Sequence, residues 1–425
     1  MFGYLNVGDK VATTAGTLVI TGSPLIGGEG AGYKAKLNGQ PVFFKGFRDL
    51  DRLPVGFASH DAVRTHRHNR TLWLVQAKLH QLNPAFNAPF AISVDAKRPG
   101  YVCAWIEHLT PWSAWRENPH PYGDRLAVVG QLGHLLQQLH ARGIAHGDIN
   151  GNNVCILGAG ASLRVALIDF GNCNNGDPAL APLMSNDPEH MSPWLRQGKG
   201  VADQHSDVYA LGVMSYEALL VKTIDSGGKD EADMHARRAS GQVVGDPLSG
   251  NYRGDEQGLP FASLSPAMQT MLRGMLASDP KTQSTISDFK RVFDAEVQHN
   301  LVLCGSCNKP YWWHVGVAAC PCCNSVAAPP ALHVQLPDRV VPLTRHLLLG
   351  RDDLPGSPAH ISAKHLVIQP AHLGAARVYV TGRNGMTLTR VTTGQRLHLT
   401  VDSGAVLVTP GDLLELQGTR IAFRP

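Results

Sequence analysis

His146-Gly147-Asp148-Ile149-Asn150-Gly151-Asn152-Asn153 is followed, after a short insert ending in the apolar run 165–168, by Asp169-Phe170-Gly171. The pattern is H-x-D-x-x-x-x-N and then D-F-G, two carboxylates and an amide at fixed separation. Transfer of a phosphoryl group needs such a set: a carboxylate to orient the attacking hydroxyl and oxygen ligands to hold magnesium against the phosphates. Asp148 suits the first task, and Asn153 and Asp169 suit the second. Polar residues also gather in ordinary surface loops, so the weight rests on the two motifs occurring together.

Outward from that stretch, 425 residues exceed what a single core usually holds and predict two or three domains. The net charge of +4, with both signs interspersed, gives no case for a nucleic-acid partner. Twenty histidines are scattered, whereas five of the eight cysteines lie between 304 and 323. Met1-Phe2-Gly3-Tyr4 lacks the charge and apolar run of a leader, so a reducing, cytoplasmic setting is expected. No apolar stretch has the ~18 residues of a membrane span, and 211–221 is short and carries Glu217, so no membrane partner is expected.

Residues 13–47 alternate β-branched and polar side chains around glycine-rich turns, which predicts strands and hairpins. Helical spacing appears over 72–82, 126–141, 207–220 and 265–297. Composition changes at Leu303-Cys304, Ala327-Ala328-Pro329-Pro330 reads as a linker, and the chain beyond Val334 has an all-β pattern.

Strands first and helices after, around these two motifs, resemble the eukaryotic-type (Hanks) protein kinases; aminoglycoside-phosphotransferase-like small-molecule kinases share the H-G-D triplet. The run 27–33 resembles the family's glycine-rich loop, so Gly27, Gly28 and Gly30 would close bare backbone over the phosphates of ATP. If Gly-Gly-Glu-Gly takes the common bacterial register, Leu25 stands in place of the first glycine and Gly32 in place of a valine over adenine. Lys45, in Val42-Phe43-Phe44-Lys45, stands where the family has its phosphate-binding lysine. Residues 101–107 resemble the last strand of the first lobe and the hinge, where the backbone at Ala104 and Ile106 would bond adenine; an ordinary core strand fits equally well. Residues 206–213 resemble the helix whose buried aspartate, here Asp207, anchors the catalytic loop, a stretch that small-molecule kinases lack, and 271–280 resemble the last conserved segment. The resemblance thus implies Lys45, Asp148, Asn153 and Asp169 as catalytic residues, with ATP and magnesium, the latter held by Asn153 and Asp169.

Departures from the family pattern bear on activity. No glutamate lies between Glu29 and Glu107, so the usual helix-borne partner of Lys45 is missing, and Gln76 sits nearest its expected place. Asn150 replaces a lysine that stabilises the transferred group, a loss on the order of 3 kcal/mol if uncompensated. Gly147 replaces an arginine that pairs with a phosphorylated activation loop. Trp194 and Gln283 together replace the two halves of a buried salt bridge.

Cys304-x-x-Cys307 and Cys320-x-x-Cys323 form two knuckles suited to tetrahedral zinc, with Tyr311-Trp312-Trp313 to pack beside them; free cysteines or disulfides are the bland alternative. His314 is a weaker ligand candidate, and Cys322 is spare. The last stretch, with Gly350-Arg351, Ser362-Ala363-Lys364-His365, Asn384-Gly385 and Pro410-Gly411-Asp412, resembles a forkhead-associated (FHA) domain, against the alternative of a packing-only β domain. That resemblance implies phosphothreonine binding by Arg351 and Ser362, a backbone contact from Asn384 and a further phosphate contact from Arg383, with His365 supporting the loop. Ala363 and Thr389 depart from the family's usual residues.

The expected fold class is multidomain: an α+β bilobal protein-kinase-like fold over 1–299 with lobes meeting near 106–107, a small zinc ribbon over 300–326, a linker at 327–334 and an all-β FHA sandwich over 335–425. This order resembles bacterial signalling kinases of the TerY-P phosphorylation triad, which implies a PPM-type phosphatase, a von Willebrand A-domain protein and a phosphothreonine-containing protein as partners. The expected function is a serine/threonine protein kinase, and the alternative is a nucleotide-binding pseudokinase scaffold that recruits phosphorylated partners.

Overall fold

The glycine-punctuated alternation near the start folds as antiparallel strands: β1 (Lys10–Thr13), β2 (Gly16–Ile20), β3 (Leu25–Ile26), β4 (Gly30–Leu37) and β5 (Gln40–Phe47), joined later by β6 (Ala91–Ile92) and β7 (Gly100–Ala104). The sheet runs β1-β2-β4-β5-β7-β6, with β3 also paired to β4. Residues opposite one another across such strands share a face. Lys45 lies between Gly32 and Tyr101 on one face, while Tyr33, Ala35, Val42 and Phe44 fill an apolar core on the other with Leu18 and Val102. In this computed structural model the described residues are all except 1–3, 29, 50–51, 55, 96–97, 182–188, 225–228, 247, 249–257, 300, 305, 308, 313–318, 326–331, 344–345, 355–360, 372–374 and 425. They divide into two compact units, Met1–Leu259 with Thr270–Arg291, and Pro260–Gln269 with Val292–Pro425.

The helices are α1 (His60–Gln76), α2 (Leu79–Leu82), α3 (Trp112–Arg116), α4 (Tyr122–His140), α5 (Pro193–Arg196), α6 (Gln204–Leu220), α7 (Glu231–Ala239), α8 (Pro266–Met275) and α9 (Ile286–His299). Where spacing predicts one helix over 72–82, the structure has α1 beginning at residue 60 and a break at Lys78, whose φ is 51°. The Ser59 side chain accepts from the Ala62 amide and starts α1 early, and the inner face that follows carries Arg67 and Arg70 beside Val63, Thr71 and Leu74. Two buried arginines erase the apolar period on which the sequence reading depends. The single run expected over 265–297 is two helices, because Asp279-Pro280 opens a 3-10 turn between them. α6 is buried along residues 206–220, which its almost wholly apolar composition requires, and Asp203 with Ser206 caps it.

A three-stranded sheet of β8 (Thr110–Pro111), β9 (Val154–Leu157) and β10 (Arg164–Leu167) positions the site. Val154 pairs with Leu167, so Asn153 and Ile168 leave the hairpin together and Asp169 follows directly. The Ile168 amide donates to the Asn153 carbonyl at 3.0 Å and closes that end.

In the other unit, β11 (Leu301–Leu303) and β12 (Pro310–Trp312) form a hairpin. Next come β13 (His333–Gln335), β14 (Val340–Pro342), β15 (Leu347–Leu349), β16 (Leu366–Pro370), β17 (Ala376–Val380), β18 (Met386–Thr389), β19 (Arg396–Leu399), β20 (Val406–Val408), β21 (Leu413–Leu416) and β22 (Thr419–Arg424). They form two antiparallel sheets, β14-β13-β22-β21-β18-β19 and β15-β16-β17-β20, which share one core of Ile368, Val378, Leu388, Leu414 and Ile421. The expected linker at 327–334 is shorter than its sequence suggests: Leu332 and Val334 are buried in this core, and 327–331 lie outside the described residues. Among the described residues no helix is long and apolar enough to cross a membrane.

Candidate active site

Asp207, in the first turn of α6, is buried and accepts from the backbone amides of His146 (2.7 Å) and Gly147 (2.9 Å), while His140 Nε2 lies 3.0 Å from the same carboxylate. Two buried N–H groups thereby gain a charged acceptor, which fixes the backbone of the catalytic loop. Gly147 has φ +76°, and a Cβ there would lie 2.4 Å from the Asn172 carbonyl oxygen. The arginine that the kinase resemblance leads one to expect at this position has no room for its Cβ and the wrong backbone. The His146 ring bridges onward, with Nε2 3.1 Å from the Ile168 carbonyl and its edge against Phe170.

Asp148 stands at the centre of three amide side chains. Asn150 donates to Oδ1 at 2.9 Å, and Asn153 and Asn172 donate to Oδ2 at 3.0 and 3.2 Å. Burial raises its pKa from the ordinary carboxylate value, against the pull of His146 and Asn150. Asn150 Oδ1 also accepts from the Asn152 and Asn153 amides, so this residue ties the loop together instead of supplying a cation. Asn153 spends its amide nitrogen on Asp148, leaving an oxygen of the kind that a hard cation prefers.

Asp169 has left-handed backbone, φ 56°, which turns its carboxylate toward β5 and β7. Lys45 Nζ donates to both of its oxygens at 2.6 and 2.7 Å, and the Tyr101 hydroxyl donates to Oδ1 at 3.0 Å. Burial alone would raise the Asp169 pKa, but Lys45 and Tyr101 hold it below the usual range. Lys45 therefore does have an acidic partner, not on α1 but in the Asp169-Phe170-Gly171 turn, which the kinase resemblance makes the metal loop. Gln76, the expected nearest substitute, is the exposed last residue of α1, and Arg70 donates from the inner face to the carbonyls of Gly171 and Cys173.

The glycines of 27–33 separate by task. Gly30 and Gly32 are packing glycines, since a Cβ would meet Gly46 O at 2.0 Å and the Phe43 ring at 2.5 Å. Gly27 and Gly28 are exposed and have open space around them, with Gly27 N bonded to Gly30 O at 2.9 Å; Glu29 lies outside the described residues. Leu25 and Ile26 are exposed on β3. Ala104 ends β7 exposed and Ile106 follows half-buried. A cavity of about 450 Å³ lies on the other face of this sheet, beside β1, Tyr33 and Phe44, away from Lys45. Trp194 and Gln283 are not partners in place of a salt bridge: Trp194 packs edge-on to Tyr209, while Gln283 donates to the Met275 carbonyl and accepts at 3.1 Å from His205.

The second unit holds two further constellations. The thiol sulfurs of Cys304, Cys307, Cys320 and Cys323 lie within 4.8 Å of one another, with Cys304–Cys323 at 3.6 Å and Cys307–Cys320 at 3.8 Å. Tetrahedral ligands about 2.3 Å from zinc stand roughly 3.8 Å apart, so the donor set fits that ion. Hydrogen bonds from Ser325 and from the amides of Cys307 and Ser306 draw the Cys304 thiol down to about 5. Cys322 is exposed and outside the cluster, and Trp313 and His314 lie outside the described residues. In the sandwich, the Arg351 amide donates to the Ser362 carbonyl at 3.1 Å and its Nε to the Ile361 carbonyl at 2.9 Å. His365 is fully buried under these loops: its amide bonds Leu349 O, its carbonyl takes the amides of Thr381 and Gly382, and a Cβ on Gly382 would strike its ring at 2.0 Å. Arg383, exposed, and Asn384, half-buried, follow directly.

Residues 117–293 match the protein kinase domain, and residues 37–180 match the phosphotransferase enzyme family. Both matches contain Asp148, Asn153 and Asp169. Among similar proteins, serine/threonine-protein kinase Pkn1 of Myxococcus xanthus is 33% identical over 135 residues, 31% of this chain and 19% of that protein. Serine/threonine-protein kinase pkn2 of the same organism is 31% identical over 124 residues, 28% of this chain and 15% of that one, and pkn3 is 27% identical over 191 residues, 43% and 32%. The chain thus spans less than a third of the length of these curated relatives. With catalytic loop, metal loop and anchoring aspartate in one constellation, and with these matches across it, the chain carries a protein-kinase-like domain.

Proposed function

We propose that the chain is a serine/threonine protein kinase dependent on ATP and magnesium. The observation that carries this reading is the convergence of Lys45, Asp148, Asn153 and Asp169 over a loop pinned by Asp207. Bound magnesium would neutralise charge on the phosphates. Asn153 and Asp169 would hold it, Lys45 would bind phosphate oxygens, and Asp148 would take the hydrogen bond of a substrate hydroxyl. The exposed turn at Gly27 and Gly28 would close over the phosphates, with Gly28 presenting its amide while the Gly27 amide is held by the Gly30 carbonyl, and the backbone at Ala104 and Ile106 would bond adenine. The sandwich acts as an FHA module: Arg351, Ser362, Arg383 and Asn384 capture phosphothreonine on a partner protein, and a structural zinc on the four cysteines braces the hairpin beside it. The domain order further supports work alongside a PPM-type phosphatase and a von Willebrand A-domain protein in a TerY-P-like system, in the cytoplasm.

A pseudokinase scaffold is the second reading, favoured by one observation: Asn150, which spends its side chain on the loop, leaves no cation at its position. Incubation of the full chain with magnesium and γ-labelled ATP, with and without a basic protein substrate, separates the two. Label on serine or threonine that vanishes in Asp148→Ala supports the kinase; ATP binding with no label in any arm supports the scaffold. Metal analysis of the same preparation tests the cysteine site, which should carry about one zinc per chain and lose it in Cys320→Ser.

A further inference from the structure

Arg70 is buried on the inner face of α1, and its Nη2 donates to the carbonyls of Gly171 at 2.7 Å and Cys173 at 3.0 Å. Those carbonyls belong to the turn around the 3-10 segment Phe170–Asn172. From one side of that turn Asp169 reaches Lys45 and Tyr101; from the other, Asn172 donates to Asp148. A single guanidinium therefore grips the short stretch from which both the metal-side carboxylate and a contact to the general-base carboxylate are set. The cavity left between Arg70, Thr71, Tyr101 and Gly171 is about 10 Å³. That is at the lower limit for one water, so solvent is a poor substitute for the arginine as donor.

The remainder of α1 is consistent with this use. Arg67 donates to the Arg48 carbonyl, and His66 Nε2 lies 2.9 Å from the Ala181 carbonyl oxygen. At Arg67, Arg70 and His66 the helix meets carbonyl oxygens, which demand donors, while Arg64 pairs with the Asp49 carboxylate; a carboxylate at Arg70 would face acceptors and be repelled.

We infer that Arg70 is a positioning residue that locks the metal loop to α1 through backbone carbonyls, a task that a helix-borne glutamate would perform through the Lys45 side chain. The inference rests on the kinase reading, but only for its consequence: displacement of the turn moves Asp169 and weakens magnesium-dependent nucleotide binding. Arg70→Met removes the donors, while Arg70→Lys keeps the charge on a different stem, without the planar guanidinium that fixes Nη2 between both acceptors.

The test uses the full chain in two measurements: hydrogen exchange of the peptide covering 168–175, and ATP affinity titrated against magnesium. In Arg70→Met, exchange of that peptide should rise about tenfold or more, the scale of a lost charge-assisted hydrogen bond, while α6 stays protected. The magnesium concentration for half-maximal tightening of ATP should rise by a similar factor, with magnesium-free affinity unchanged, and Arg70→Lys should fall between. Unchanged exchange and magnesium dependence in Arg70→Met overturn the inference. If that variant also loses protection across α4 and α6, Arg70→Lys decides: local opening at 168–175 supports the lock, and protection equal to the parent overturns it. If the parent binds no ATP, the kinase reading fails and exchange alone judges Arg70.

Discussion

The catalytic loop and α1 flank the same metal loop and teach opposite lessons. In the loop, each residue of the site is held by side chains or by its own backbone conformation: Asp148 by three side-chain amides, the chain at 146–147 by the Asp207 carboxylate, and Gly147 by a conformation that others adopt poorly. In α1 no carboxylate faces the site, and the helix is held by arginine and histidine donors, on neighbouring carbonyls at His66, Arg67 and Arg70 and on the Asp49 carboxylate at Arg64. On the inference drawn for Arg70, one task is met by residues of opposite charge when the partner changes from a lysine side chain to a peptide oxygen.

Breaking the loop should have the larger effect. Asp207→Ala strands the buried amides of His146 and Gly147, each costing about 1 to 3 kcal/mol. The expected fall in melting temperature is on the order of 10 °C by calorimetry. Labelling from ATP should be abolished. Gly147→Arg, which restores the residue expected from the kinase resemblance, should harm the protein: the left-handed backbone and the Cβ contact at Asn172 cost about 2 to 3 kcal/mol together. Gly147→Ala should lose nearly as much in urea unfolding, because the clash begins at Cβ. A Gly147→Arg variant as stable as the parent would break the contrast between the two regions.

The same contrast explains what the sequence disclosed. Asp148, Asn153 and Asp169 are legible because a hairpin of fixed length, β9 to β10, converts spacing in sequence into proximity in space. The anchoring role of Asp207 is legible from the resemblance of 206–213 to the kinase helix, and the structure finds that helix buried along 206–220. α1 was hidden, since amphipathic periodicity assumes that buried means apolar, and Arg67 and Arg70 are buried through hydrogen bonds. Ser59 followed by Asp61 was the available signal of its start, an N-cap with an acidic first turn. The partner of Lys45 was equally out of reach, because no spacing rule announces that a lysine at 45 and an aspartate at 169 will meet. In the sandwich, Arg351 and Ser362 could be read from turn pairs, but burial of His365 as the post that joins three loops required the fold.

The Lys45–Asp169 pair itself gives a smaller, pH-dependent effect. Because Lys45 lowers the folded pKa of Asp169, the pair stabilises the fold above the ordinary aspartate value near 3.9 and is lost as pH falls through the lowered one. Asp169→Asn should therefore lower the melting temperature by a few degrees at pH 5 to 8, with the difference fading below about pH 4. Asp148 runs the other way: burial raises its pKa, so its charge counts against stability near neutral pH and is relieved by acid. A stability difference for Asp169→Asn that grows on acidification would refute the pairing.

The smallest effect belongs to Gln76→Glu, the change that sequence comparison alone would choose to restore a partner for Lys45. Gln76 is exposed and ends α1, and the residues of that helix that face inward are Val63, Arg67, Arg70, Thr71 and Leu74. A carboxylate there meets the negative end of the helix dipole and should cost at most about 0.5 kcal/mol, screened by salt. Lys45 is already engaged by two oxygens of Asp169, so labelling rate and magnesium dependence should match the parent. A gain in activity from Gln76→Glu would mean that α1 turns its end toward Lys45 during turnover, and the basic inner face would then describe a resting state of the helix instead of its working position.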